Sequence, residues 1–512
     1  MEQNKNLDDN LNVQEATHSS LTQGKESIQS IPILKRRVLV GVGLPLAWFF
    51  SHHYLAAPRG FYQALFWPVF LLVGFWFLSD LIKTKDLMVY LTATAVISSS
   101  IHSAIYASDP LSFLNFIALP ILSVFVLLLA TQKHNNLSLR PFLATLDSLL
   151  TGPFRSLVFI PSLLRNQARS KKESPSNQHL KDIGFGVLIT LPLLYLLINL
   201  LSSSDLAFQS TLNGLFNRFF NNFQLTNTLW RIAASLLALI YFLGVLLTIR
   251  TRKAKDSPFV HSKHHSPTIS LIILGSVDLL YALFFFTQLK SLYFPKTQLT
   301  ALNQSISQYA RSGFFSLLLV MAINLFLLWY LSSFTRPNKQ FDLAMKIGYF
   351  LMFLFTANMI ASSFYKMALY ESEFGYTHLR LFVKFALIFF AFGLLILILF
   401  AFQRIQDILK PLTILALSLY MVLNFLNLDG IIVHRAKEIY ATHNRLDIDY
   451  LSQLSADAYS AFEENFHLQT STDAKIIELK DQYFNNLYLH FNDAQLKDHP
   501  LAQTVTELKI KP

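Results

Sequence analysis

Polar and apolar positions divide this chain sharply. Residues 1–30 are polar, rich in Asn, Gln, Ser and Asp, with no apolar periodicity. That is the pattern of a disordered tail. Lys35, Arg36 and Arg37 then precede a succession of apolar runs separated by short polar breaks. Crossing about 30 Å of hydrocarbon takes about 20 residues of helix. By that measure we read eleven spans, near 38–55, 61–82, 87–106, 110–131, 183–204, 228–249, 268–289, 312–333, 343–365, 381–403 and 411–428. The pattern predicts an all-α, polytopic integral membrane helix bundle of about 11 transmembrane helices. A small helical C-terminal tail follows, with Leu451, Leu454, Ala458 and Phe462 at helical spacing.

Two further segments are amphipathic and read as non-spanning. Residues 141–165 carry Leu146, Leu149, Leu150, Phe154 and Leu157 at helical spacing and lead into a basic stretch with Arg165, Arg169, Lys171 and Lys172. Residues 206–225 place Phe208, Leu212, Leu215, Phe216, Phe219, Phe220 and Phe223 on one face. Both fit helices lying in a membrane interface. The expected organisation is a cytosolic tail (1–37), a four-span part (38–131), an amphipathic and basic linker (132–182), a seven-span core (183–429) and a helical extracytoplasmic tail (430–512).

Composition supports the membrane reading. Over 512 residues, 53% are hydrophobic and only 14% charged, so the apolar residues exceed what water-soluble cores take up. Cysteine is absent, which removes disulfides, thiolate metal sites and thiol nucleophiles. The net charge of +11 is explained by topology. With the N-terminus inside, inner segments hold 25 Lys plus Arg and outer segments 9, the tail holding the remaining 8. Positive charge concentrates in cytoplasmic loops. The chain is therefore placed in a cytoplasmic membrane, N-terminus cytosolic, tail extracytoplasmic. Expected partners are the lipid bilayer, anionic headgroups at the inner face and an envelope protein met by the tail, with no nucleic acid. No cleavable signal peptide is read at the start.

Chemistry-bearing residues are few. No Gly-rich phosphate loop, His-Glu-x-x-His or Gly-x-Ser-x-Gly occurs, and no cofactor or metal is expected. His261, His264 and His265 lie among basic residues, which disfavours a cation. His102, after a serine run in the third span, reads as a helix-packing hydrogen-bonder. Asp278 falls near the middle of the seventh span, where a charge costs at least about 2.5–3.5 kcal/mol. It is a candidate intramembrane ionisable site, or a bond to Asn324 or Asn358 that holds helices together. Asp205, Tyr309, Arg311, Glu371, Glu373, Arg380 and Asp429 all fall on the outer side. They form a candidate polar cluster for gripping an anionic headgroup or for acid–base work. The alternative is salt bridging at helix ends.

Four ordered elements carry a resemblance. They are Ser203-Ser204-Asp205-Leu206-Ala207-Phe208, Tyr309-Ala310-Arg311-Ser312-Gly313-Phe314, Tyr370 through Arg380, and Leu446-Asp447-Ile448-Asp449-Tyr450-Leu451-Ser452-Gln453-Leu454-Ser455-Ala456-Asp457-Ala458. Over about 183–460 the chain resembles an uncharacterised group of bacterial multi-pass membrane proteins known by a domain-of-unknown-function label. Ile306, Gln308 and Tyr376 depart from residues frequent in that group. The resemblance implies the fold and carries no activity. Three functions stay open: a regulatory or scaffolding protein of the cell envelope, an ion- or proton-coupled transporter using Asp278, and a membrane-embedded transferase or hydrolase with an outer-face site.

Overall fold

The computed structural model describes residues 31–54, 61–82, 86–131, 139–164, 225–251, 266–293, 314–335, 339–402 and 407–492. Every secondary-structure element among them is helical. The expected span 183–204, the segment 206–225 and the linker 166–182 lie outside the described residues, as do His261, His264, His265, Asp205, Tyr309 and Arg311.

The helices, in chain order, are α1 (Ile33–Phe49, followed by a π-helical turn Phe50–Tyr54), α2 (Phe61–Phe77), α3 (Leu87–Ile105), α4 (Asp109–Thr131), α5 (Leu139–Leu164) and α6 (Leu225–Thr251). Next come α7 (Pro267–Tyr293), α8 (Phe314–Phe334), α9 (Asp342–Phe374), α10 (His378–Ala401) and α11 (Leu409–Phe425). The tail holds α12 (Leu428–His443), α13 (Ile448–Leu451), a 3₁₀ turn Ala456–Ala458, α14 (Tyr459–Phe466) and α15 (Ala474–Asn492).

Seven of the described helices are long and apolar enough to cross a membrane. Counting α11 with α12, which continue one another through a 69° bend, makes eight. The expected eleven is not reached among the described residues. The first two expected spans are helical but only 17 residues each, and the fifth lies outside the description. A physical reason ends α2 early: the chain turns after Phe77 so that Asp80 can accept from Lys35 Nζ at 2.8 Å and from both terminal nitrogens of Arg250 at 2.9 and 2.6 Å. The fork of Arg250 matches a carboxylate and holds Asp80 below the usual carboxylate range, with Lys35 adding to it.

The chain divides into two compact units, each drawn from non-consecutive stretches. The first contains α1, α6, the turn with Asp80 and most of α5. In it, α1 runs along α6. The amphipathic helix α5 packs its small residues and leaves Leu143, Leu146 and Leu150 exposed. At Gly152 a Cβ would stand 3.2 Å from the backbone of Val245 on α6, so two helix backbones approach closely there.

The second unit contains α3, α4 and everything from α7 onward. Its spans bury several polar residues and leave many large apolar ones exposed: on α7, Leu279, Leu280 and Leu283 are exposed while Ser270, Leu274 and Asp278 are buried. Such an inverted distribution suits helices whose outer surface meets lipid. The tail helices form a cap with a core of their own, in which Phe462, Phe466, Leu479 and Tyr483 pack together and reach Leu381 and Leu423 on the long helices.

Gly152→Ala should destabilise the detergent-solubilised protein by about 1–3 kcal/mol, because the added methyl meets backbone that cannot yield. Gly41→Ala, where nothing lies within 4 Å, should leave the melting temperature unchanged or raised. A thermal melt of the two variants beside the wild type checks both.

Candidate functional site

Three helix ends of the second unit meet the cap. Gly375, with φ of 72°, ends α9 in the left-handed region that glycine enters without strain. Thr377 then caps α10 by accepting from Arg380 N at 3.4 Å. The Arg380 guanidinium turns back over the end of α9. It donates to the carbonyl of Phe374 at 3.0 Å and to that of Gly375, and lies 4.2 Å from the Tyr370 ring. A cation at a helix C-terminus satisfies orphan carbonyls and opposes the helix dipole. Lys384 pairs with the buried Glu371 at 2.6 Å and lies 4.3 Å from the Tyr376 ring. Glu373 is partly exposed on the last turn of α9 and takes no part in these contacts.

Asp429 is the hub. It sits in the first turn of α12, where a negative charge is favoured by the dipole, and only 1% of it is exposed. Its carboxylate accepts from His378 Nε2 at 2.5 Å, from the Ser455 amide at 3.1 Å and from the Ser455 hydroxyl. With Nε2 donating, His378 Nδ1 is left to accept from the Tyr450 hydroxyl at 3.0 Å. That hydroxyl also accepts from the His378 amide at 2.9 Å. Burial raises the Tyr450 phenol to about 12, with the Asp429 charge adding to it, so this hydroxyl keeps its proton at neutral pH.

A second carboxyl, Asp457, extends the network. It accepts from the Ala107 amide at 2.6 Å and stands 3.2 Å from Ser455 Oγ. Burial, aided by the Asp429 charge, raises it to about 6. Below that pH its own proton can go to Ser455, whose hydroxyl goes on to Asp429.

The bend between α11 and α12 lies against this cluster. His102 Nδ1 takes the freed carbonyl of Asn424 at 2.7 Å, and the Tyr106 hydroxyl takes that of Phe425 at 3.3 Å. Asn115 donates to Asn424 Oδ1 at 2.7 Å and accepts from Tyr420 at 2.6 Å. Asn427 caps α12 through Gly430 N and donates to the Asp457 carbonyl at 3.0 Å. Beside the latch an open cleft is lined by Phe374, Tyr376, Ile432, Arg445, Asp447 and Tyr450, among others.

The structure thus brings Asp429 to the cap and places Glu371, Glu373 and Arg380 around the end of α9. Asp205, Tyr309 and Arg311 lie outside the described residues, so the cluster of seven is not assembled as a whole. Asp278 belongs to a separate place in the span, and Asn324 bonds to Tyr281 and Thr356. His102 is a helix-packing hydrogen-bonder, as its setting in the third span implied. Four residues that sequence reading quoted without choosing as candidates prove central: His378, Tyr450, Ser455 and Asp457. The signal for them was capping chemistry, since Asp447 caps the helix bearing Tyr450, and Ser455 caps the turn bearing Asp457. Among the described residues no three His, Cys, Asp or Glu side chains gather as metal ligands would.

The model of the family described as a domain of unknown function, DUF4153, matches residues 88–465. This chain belongs to the DUF4153 family. The match starts well before the 183 expected from the ordered elements, so α3 and α4 are part of the DUF4153 segment, and it ends inside the cap, before α15. Both partners of every bond to Asp429 and Asp457 described above fall within it. No curated protein and no solved structure matches the chain.

Asp429→Asn places an amide against the His378 and Ser455 donors. It should loosen the cap, seen as faster protease cleavage between 440 and 492 while the long apolar helices stay protected, at a cost of about 1–3 kcal/mol. Asp457 sets a pH dependence. Its folded value lies above the usual carboxylate value of 3.8, so the stability it contributes is full below 3.8 and is lost as pH rises through about 6. Relative to Asp457→Asn, the wild type should lose up to about 3 kcal/mol between pH 4 and 7, measured as the difference of the two melting curves.

Proposed function

We propose that this chain is a regulatory or scaffolding component of the bacterial cell envelope, whose C-terminal cap is a fixed docking platform on a membrane helix bundle. The latch around Asp429 carries the reading. Its groups are bonded to one another, and its phenol keeps its proton. Glu371 is engaged by Lys384, and Arg380 by carbonyls and the Tyr370 ring. Groups committed in this way hold two parts of a protein together. A transferase or hydrolase site needs an acid–base pair open to substrate, and the transferase or hydrolase reading draws less support from such pairing.

The chain sits in a cytoplasmic membrane with its N-terminus in the cytosol and the cap outside. Supporting this is the concentration of Lys and Arg in segments opposite the cap, 25 against 9 in the outer segments before the cap and 8 in the tail itself. The basic stretch 165–172 meets anionic headgroups at the inner face, and an envelope protein meets the cleft, whose rim offers charges of both signs in Arg445 and Asp447.

Fusions of alkaline phosphatase or green fluorescent protein after Asp429 and at Pro512 test the sidedness: active phosphatase with a dark fluorescent fusion is expected, and the reverse puts the cap in the cytosol. A photo-crosslinking amino acid at position 445 tests the platform in growing cells. One reproducible envelope protein is expected in the crosslinked band, lost on Asp429→Asn. No adduct beyond abundant membrane proteins would overturn the docking role.

A further inference from the structure

One buried carboxyl takes no part in the latch. Asp278 is 6% exposed on α7, and its Oδ1 is buried with no hydrogen-bond partner among the described residues. The helix need not have turned it inward: Leu279, Leu280 and Leu283 occupy the exposed face, and the buried stripe Ser270, Leu274, Asp278 repeats every four residues. Asp278 therefore lies on the side packed against α9, where the helices are in contact along much of their length.

That packing is polar at several levels. Toward the start of α7, Ser270 Oγ meets Thr335 Oγ1 at 2.7 Å. One turn beyond Asp278, Tyr281 donates to Asn324 Oδ1 at 2.5 Å, and Asn324 donates to Thr356 Oγ1 at 3.0 Å. Thr356 returns its proton to the Met352 carbonyl at 2.7 Å. Further along α9, Ser362 and Ser363 are buried with hydroxyls that have no hydrogen-bond partner among the described residues. Lipid-facing helices have no need of such a seam, and intramembrane ionisable groups are costly enough to mark pathways.

Among the described residues no group of His, Asp or Glu side chains gathers at Asp278 as a metal-ion shell would. A proton needs one acceptor. The other titratable groups on the helices concerned are Tyr281, Lys290 and Tyr293 on α7, Tyr330 on α8, and on α9 Tyr349, Tyr365, Lys366, Tyr370, Glu371 and Glu373, with Lys346 paired to Asp342 at 2.7 Å and Glu371 to Lys384. No ion pair reaches Asp278 among the described residues.

We propose that Asp278 is a proton-binding site inside the membrane, exchanging with water along the polar seam of α7, α8 and α9. Its acid form has a specific chemistry. The carboxyl O–H adds across one C=N bond of an apolar carbodiimide, the proton passes to nitrogen, and the O-acylisourea rearranges to an N-acylurea with no leaving group. The experiment uses the full chain in proteoliposomes, treated with dicyclohexylcarbodiimide and mapped by peptide mass spectrometry. The expected result is an adduct on Asp278 that declines as pH rises and is absent from Asp278→Asn. A water-soluble carbodiimide should leave Asp278 unmodified. A pH dye trapped inside the same vesicles, under a potassium diffusion potential, should report proton entry that Asp278→Asn abolishes and Asp278→Glu retains. Failure of the apolar reagent to modify wild-type Asp278 at any pH would overturn the site. Equal proton entry for wild type and a folded Asp278→Asn would overturn its exchange across the membrane.

Discussion

A helix that breaks among apolar neighbours must hand its freed carbonyls and amides to other partners, because no water is there to take them. This chain meets that demand at Asn424–Asp429, where the last span bends by 69°. The partners of the bend come from different elements: His102 from α3 and Tyr106 from just beyond its end, Asn115 from α4, while Asn427 reaches the turn that bears Asp457. The break is therefore what fixes α3, α4, α11 and the cap to one another. Once α12 starts at Leu428, Asp429 falls in its first turn, and the rest of the latch follows from satisfying that one buried carboxylate.

The same logic explains why so many chemically suggestive side chains turn out to be occupied. Arg380 looks like an anion ligand in sequence, yet the end of α9 presents carbonyls within its reach and an aromatic face beneath it. Glu371 looks like an acid, yet it is buried beside Lys384. Buried charges need partners of their own, and helix ends supply them. Asp278 differs because its buried Oδ1 has no hydrogen-bond partner among the described residues, while Tyr281, one turn on, is bonded to Asn324.

Helical class and most helix positions were legible, because apolar runs of twenty or so residues permit little else in lipid. The runs at 87–106, 110–131 and 381–403 became helices close to those bounds, while the run at 343–365 became a helix that continues to Phe374. The first run became α1 and the π-helical turn that follows it, Ile33–Phe49 and Phe50–Tyr54, while the second ends at Phe77, since hydropathy counts residues without knowing that Asp80 meets Lys35 and Arg250. The last run misled at its end, since Asn427 reads as a helix boundary only once Gly430 is seen to bond to it. Of the candidate cluster, Asp429 was legible as a polar residue at a span end, while its partners were not.

By itself the sequence determined the helical class of the described residues, the bulk of their apolar spans and a tail different in kind. Those properties depend on local pattern, which a window of residues contains. Only the tertiary structure decided that His102 would hold the backbone of Asn424, 322 residues away, and that His378, Asp429, Tyr450 and Ser455 would close on one another. Such pairs are set by which helix ends lie side by side. Hydrogen bonds act over about 3 Å, so no spacing along the chain encodes them until packing has brought the ends together.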